Sequence, residues 1–109
     1  MPDLQITFAD DGATVTLAPG DRLICTLPEL ATAGYRWELD VELDPNVAQI
    51  ESNQPIPPFT GAVGAAGARE IVVLAVGPGR IPLRYKRWQP WGGPSSVDSR
   101  FGMTLDVTS

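Results

Sequence analysis

Polar and apolar residues alternate along most of this chain with the two-residue period of strands. Leu4, Ile6 and Phe8 share one parity before Asp10-Asp11-Gly12 turns the chain. Val15 and Leu17 make a second short run, closed by Pro19-Gly20-Asp21. Leu23, Cys25 and Leu27 line one face of a third, which Pro28 is expected to stop because it lacks an N–H. Tyr35, Trp37, Leu39, Val41 and Leu43 then alternate with Arg36, Glu38, Asp40 and Glu42, the clearest strand pattern in the sequence. Asp44-Pro45-Asn46 breaks it, and residues 47–51 suit another short strand. Ile71 to Val76 is a continuous apolar run, as expected of a strand buried on both sides or central in a sheet. Ile81, Leu83 and Tyr85 alternate next, and Phe101, Met103, Leu105 and Val107 close the pattern. No segment carries a 3.6-residue period with caps. Seven to eight strands separated by Pro/Gly turns predict an all-β fold, an immunoglobulin-like antiparallel β-sandwich, with residues 1–109 as a single domain.

Three irregular stretches interrupt the alternation: 28–34, 56–68 and 87–94. Residues 53–68 read NQPIPPFTGAVGAAGA, and their prolines and glycines predict a loop of about sixteen residues. Loops of that length in compact domains usually have a function or lack order. RWQPWGGPSS, from Arg87 to Ser96, is a second long loop. In an immunoglobulin-like sandwich alternate inter-strand loops gather at one end, which would bring the three stretches to one pole.

Composition narrows the chemistry. The 109 residues include no histidine and one cysteine. A Ser-His-Asp triad, a Cys-His pair and an imidazole metal site therefore cannot be assembled from this chain. Cys25, between Leu23 and Leu27 on one face, reads as a small buried hydrophobe. Eight basic against thirteen acidic residues leave a net charge of -5. A phosphate backbone is repelled on average, so no nucleic-acid partner is expected. The cationic group Arg84, Lys86 and Arg87 reads as a solvated strand face. No apolar run approaches the ~18 residues of a membrane span, so no membrane association is expected. Met1-Pro2-Asp3 opens directly into patterned sequence, consistent with a soluble protein that is cytoplasmic or exported with its leader removed.

The irregular stretches also carry a family resemblance. LPELATAGYRW (Leu27 to Trp37) resembles the first binding loop of the chagasin family of cysteine-protease inhibitors, which reads Asn-Pro-Thr-Thr-Gly-Tyr/Phe, any residue, Trp. Thr32, Gly34, Tyr35 and Trp37 match, whereas Leu30-Ala31 replaces Asn-Pro and Ala33 the second Thr. GAVGAAGARE (Gly61 to Glu70) is similar to the family's Gly-rich second loop, and PWGGPS (Pro90 to Ser95) to its Arg-Pro-Trp third loop. In YKRWQPW either two residues are inserted between Arg87 and Pro90 or Gln89 stands where Arg belongs. An even insertion preserves the strand's in/out parity and is favoured.

The resemblance implies a reversible inhibitor, likewise free of chemistry and cofactors, whose three loops fill the cleft of a papain-like, cathepsin-L-type cysteine protease. The residues it implicates are Ala31, Thr32, Ala33 and Gly34; Val63, Gly64, Ala65, Ala66 and Gly67; and Arg87, Trp88, Pro90 and Trp91. Small residues at 64–67 allow backbone to approach a narrow cleft. Trp91 and Trp88 offer large apolar anchors, and Pro57, Pro58 and Pro90 stiffen the loops. Gly34, Tyr35 and Trp37 are expected to be mainly structural. Such a wedge works as a monomer. The alternative is a non-inhibitory sandwich that binds carbohydrate or peptide through exposed Trp88 and Trp91.

Overall fold

A computed structural model describes residues 3–29, 34–56 and 67–109. Among the described residues eight strands follow in chain order: β1 (Asp3–Thr7), β2 (Thr14–Leu17), β3 (Arg22–Glu29), β4 (Arg36–Leu39), β5 (Ala48–Ile56), β6 (Gly67–Ala75), β7 (Gly79–Trp88) and β8 (Ser99–Val107). They form two four-stranded sheets, ordered β1-β3-β6-β5 and β2-β8-β7-β4. The expected all-β sandwich is therefore present. Its interior pairings are antiparallel, but both sheets carry one parallel edge pair, β1 with β3 and β2 with β8. Connectivity explains this. The chain crosses to the second sheet for β2 before returning as β3, so β1 and β3 run in the same direction.

Alternation supplies the core. Leu23, Cys25 and Leu27 of β3 and Ile71 and Val73 of β6 face Leu83 and Tyr85 of β7, Phe101, Met103 and Leu105 of β8 and Trp37 of β4, in one continuous cluster. Burying one such large side chain stabilises the fold by about 1.5–3 kcal/mol. Phe8 is not on β1. It lies in a 3-10 turn, Phe8–Asp10, capped reciprocally by Thr7 and Asp10. Its half-exposed ring reaches the second sheet, 5.9 Å from Trp37 of β4 and 6.1 Å from Phe101 of β8.

Three boundaries differ from expectation. The run from Tyr35 to Leu43 is a strand only over Arg36–Leu39. β4 is an edge strand, and after Asp40 donates its N–H to the Arg84 carbonyl the chain leaves to supply β5 in the other sheet. Pro28 does not stop β3, which continues to Glu29. Its neighbour β1 already ends at Thr7 opposite Thr26, and the Pro28 carbonyl bonds Trp37 and Arg87 instead of β6. On that unladdered side a missing N–H costs nothing. The stretch expected to be a loop over 53–68 is strand as far as Ile56 and again from Gly67. Pro55 is tolerated there because β5 is an edge.

Candidate functional site

The register brings the roots of all three irregular stretches to one pole. In the first sheet, Glu29 at the end of β3 lies opposite Gly67 at the start of β6, and Ile56 at the end of β5 lies opposite Ala68. In the second sheet, Arg36 at the start of β4 faces Trp88, and Arg87 faces Ser99 at the start of β8. Cross-sheet bonds join the two sets. The Pro28 carbonyl accepts from Trp37 Nε1 at 2.6 Å and from Arg87 Nη1 at 3.2 Å.

Arg87 is the keystone of the third root. It shares the inward parity of Leu83 and Tyr85, and its guanidinium lies 5.8 Å from the Trp37 ring. A bidentate pair to Asp98, both bonds 2.9 Å, ties the strand leaving for the loop to the segment returning from it. The loop between them is compact. Proline opens each of two 3-10 turns, Pro90–Gly92 and Pro94–Ser96, with Gly93 at φ +74° between them. The Ser96 hydroxyl accepts the Gln89 N–H at 3.0 Å and lies within hydrogen-bond distance of the Gln89 and Gly93 carbonyls. Sequence reading had no role for Ser96. Its signal is only its position after a Pro-Ser step.

Trp91 projects from this loop with 76% of its surface exposed, the largest value among the large hydrophobics of the described residues. Its indole reaches across to the first loop. A Cβ placed on Gly34 would sit 3.0 Å from Trp91 Nε1, and Gly34 has φ +82°, a conformation that favours glycine. Gly34 and Trp91 are thus in direct apposition, one at the return of the first loop and the other at the crest of the third. Trp88 is placed differently. It is half-buried, its Nε1 donates to Glu38 at 3.0 Å, and the Lys86 ammonium covers its ring at 4.0 Å.

The clearest feature missed from sequence is buried charge. Glu29 is 1% exposed. It accepts from the Trp37 backbone N–H at 3.0 Å and from Arg69 through Nε at 2.5 Å and Nη2 at 3.2 Å. Arg69 also donates to Asn53 Oδ1 at 2.7 Å. Parity was the available signal: Glu29 continues Leu23-Cys25-Leu27, and Arg69 precedes Ile71-Val73 on the same face.

Among the expected site residues, Gly34, Gly67, Arg87, Trp88, Pro90 and Trp91 lie at or beside this pole. Ala31, Thr32, Ala33, Val63, Gly64, Ala65 and Ala66 fall outside the described residues. Trp37 is core and Tyr35 half-buried, in keeping with mainly structural roles. Cys25 is fully buried, and desolvation pushes its thiol up from the ordinary 9.0 to about 12, leaving it protonated and unreactive at neutral pH. The Tyr85 hydroxyl, beside that thiol, has no conventional hydrogen-bond partner, and burial raises its pKa well above 10.0. Among the described residues no group of three or more His, Cys, Asp or Glu side chains could hold a metal ion. Among the described residues, the pole offers an exposed indole on a stapled loop.

Comparison with known proteins then decides the lineage. Residues 16–105 match the model of the Chagasin family peptidase inhibitor I42. The chain belongs to the chagasin family of peptidase inhibitors. Chagasin of Trypanosoma cruzi is 33% identical over 106 residues, covering 93% of this chain and 94% of that protein. The crystal structure of the cysteine protease inhibitor EhICP2 from Entamoeba histolytica superposes with a TM-score of 0.84 at 18% identity, covering 97% of this chain and 96% of that one. PbICP-C, solved in complex with falcipain-2, superposes at 0.67 with 16% identity, covering 98% of this chain and 90% of that one. At those identities the structural likenesses speak to the fold. The family assignment rests on the sequence matches.

Proposed function

We propose that this chain, acting as one monomeric domain over residues 1–109, is a reversible inhibitor of papain-like cysteine proteases of the cathepsin-L type. The carrying observation is the convergence of three loop roots at one pole, with Trp91 exposed against Gly34. In this reading the segments around Ala31, Thr32 and Ala33 and around Val63, Gly64, Ala65 and Ala66 enter the cleft together with Gly34 and Gly67. Trp91 is the apolar anchor at one side, and Pro90 fixes its approach. Arg87 and Trp88 act from beneath, because both are held by contacts within the fold. The inhibitor performs no chemistry and is not cleaved. The target supplies the thiol, and the wedge excludes substrate and water from it.

Family membership supports the class of target, as does the complex of PbICP-C with falcipain-2. The alternative of a sugar or peptide platform built on Trp88 and Trp91 is disfavoured by Trp88, whose ring face and N–H are both engaged. Steady-state kinetics with papain and a small peptide substrate test the mechanism. Cleft occlusion raises apparent KM at constant kcat, whereas a fall in kcat with KM unchanged would place binding away from the cleft.

A further inference from the structure

We propose that Glu29 and Arg69 are positioning residues for binding, a buried ion pair that fixes the four roots of the first and second loops. This inference rests on the inhibitory reading above. The chain enters the first loop after Glu29 and returns from it into β4, which carries Trp37. It enters the second through β5, which carries Asn53, and returns into β6, which carries Arg69. One carboxylate and one guanidinium join all four. Glu29 accepts from the Trp37 N–H and from Arg69 Nε and Nη2, and Arg69 Nη1 donates to Asn53. Glu29 is the buried charged residue among the described residues, and the Arg69 side chain is only 14% exposed.

Stability alone does not account for this arrangement. A buried ion pair gives up hydration on both partners, and a well-packed apolar pair in its place is often equally or more stable. What an apolar pair cannot supply is direction. The fork of Arg69 meets the carboxylate along two fixed bonds, and the Trp37 N–H meets it along a third. The relative positions of β3, β4, β5 and β6 are thereby set at the level where the loops depart. A wedge whose roots are already placed loses less freedom on entering a cleft, so it docks faster and more tightly. The Pro28 carbonyl, held by Trp37 and Arg87, extends the same frame to the third loop.

The test is a neutral double variant of the full chain, Glu29→Gln with Arg69→Met, which removes both charges while keeping an acceptor for the Trp37 N–H. The expected result is cooperative folding with Tm near that of the parent, an inhibition constant for papain raised tenfold or more, slower association, and faster amide exchange at Trp37 and over residues 67–70. Arg69→Lys, which keeps the charge but not the fork, should recover part of the affinity relative to the double variant. A folded double variant that inhibits as well as the parent overturns the proposal. So does a loss of affinity that merely tracks a lowered Tm. If the double variant does not fold, Arg69→Lys alone decides: weaker inhibition at unchanged Tm supports the clasp, and unchanged inhibition overturns it. If the parent itself leaves both papain and a cathepsin-L-type enzyme active, the inhibitory reading fails, and amide exchange decides the clasp separately: acceleration at the loop roots supports it, and unchanged protection overturns it.

Discussion

Replacing Trp91 with alanine separates binding from folding. The side chain is 76% exposed in the free protein. A tryptophan offers about 250 Å² at most, so roughly 190 Å² remains to be buried on docking. At about 25 cal/mol per Å² that area represents a ceiling near 4.7 kcal/mol. Ordering and desolvation costs reduce what is realised, and truncating an interface anchor typically costs about 1–3 kcal/mol. Trp91→Ala should therefore raise the inhibition constant by about 5- to 150-fold, mostly through faster dissociation. Folding should scarcely respond, because exposed substitutions usually stay within about 0.5 kcal/mol. Progress-curve inhibition of papain and a urea melt of the same preparation measure both quantities. A melt shifted by several kcal/mol would show that Trp91 holds the fold, and an unchanged inhibition constant would remove it from the contact surface. Either result refutes the reasoning.

Two further outcomes follow from the same geometry. Gly34→Ala places a side chain in the left-handed region and 3.0 Å from Trp91 Nε1, so it should destabilise the chain by about 1–2 kcal/mol and weaken inhibition by displacing the indole; a urea melt and an inhibition assay check this. The buried Cys25 thiol makes stability fall at high pH: between about 9, where the unfolded chain releases this proton, and about 12, where the folded chain does, the native state holds more protons and loses up to about 1.4 kcal/mol per pH unit. Denaturant midpoints at pH 8, 9 and 10 should fall in that order, and Cys25→Ala should reduce the slope, leaving the part that Tyr85 contributes in the same direction.

Period-two alternation was enough to find the sandwich, because each core strand buries one face and shows the other to water. Leu23-Cys25-Leu27, Leu83-Tyr85 and Phe101-Met103-Leu105 all sit where parity placed them. What local pattern does not carry is which strand is an edge. That knowledge explains why β4 ends at Leu39 despite five alternating apolar residues, and why Pro55 is tolerated in β5; Pro28 is tolerated within the interior strand β3 only because β1 ends short of it. The parallel edge pairs were equally hidden, since they depend on which sheet the intervening strand joins. At the pole, the prolines and glycines marked the loops, but the contacts that brace them are long-range. Arg87 with Asp98, and Glu29 with Arg69, are pairings of charged residues whose inward parity was visible and whose partners were not.

Central to the account is occlusion of a cysteine-protease cleft by an uncleaved wedge. Titration of papain and of a cathepsin-L-type enzyme, each counted by its active thiol, tests this most directly. Activity should fall with added protein towards an equimolar end point, return on dilution, and leave the chain intact on denaturing electrophoresis. Full activity of both enzymes at micromolar protein, or inhibition that consumes the chain by cleavage, would contradict it.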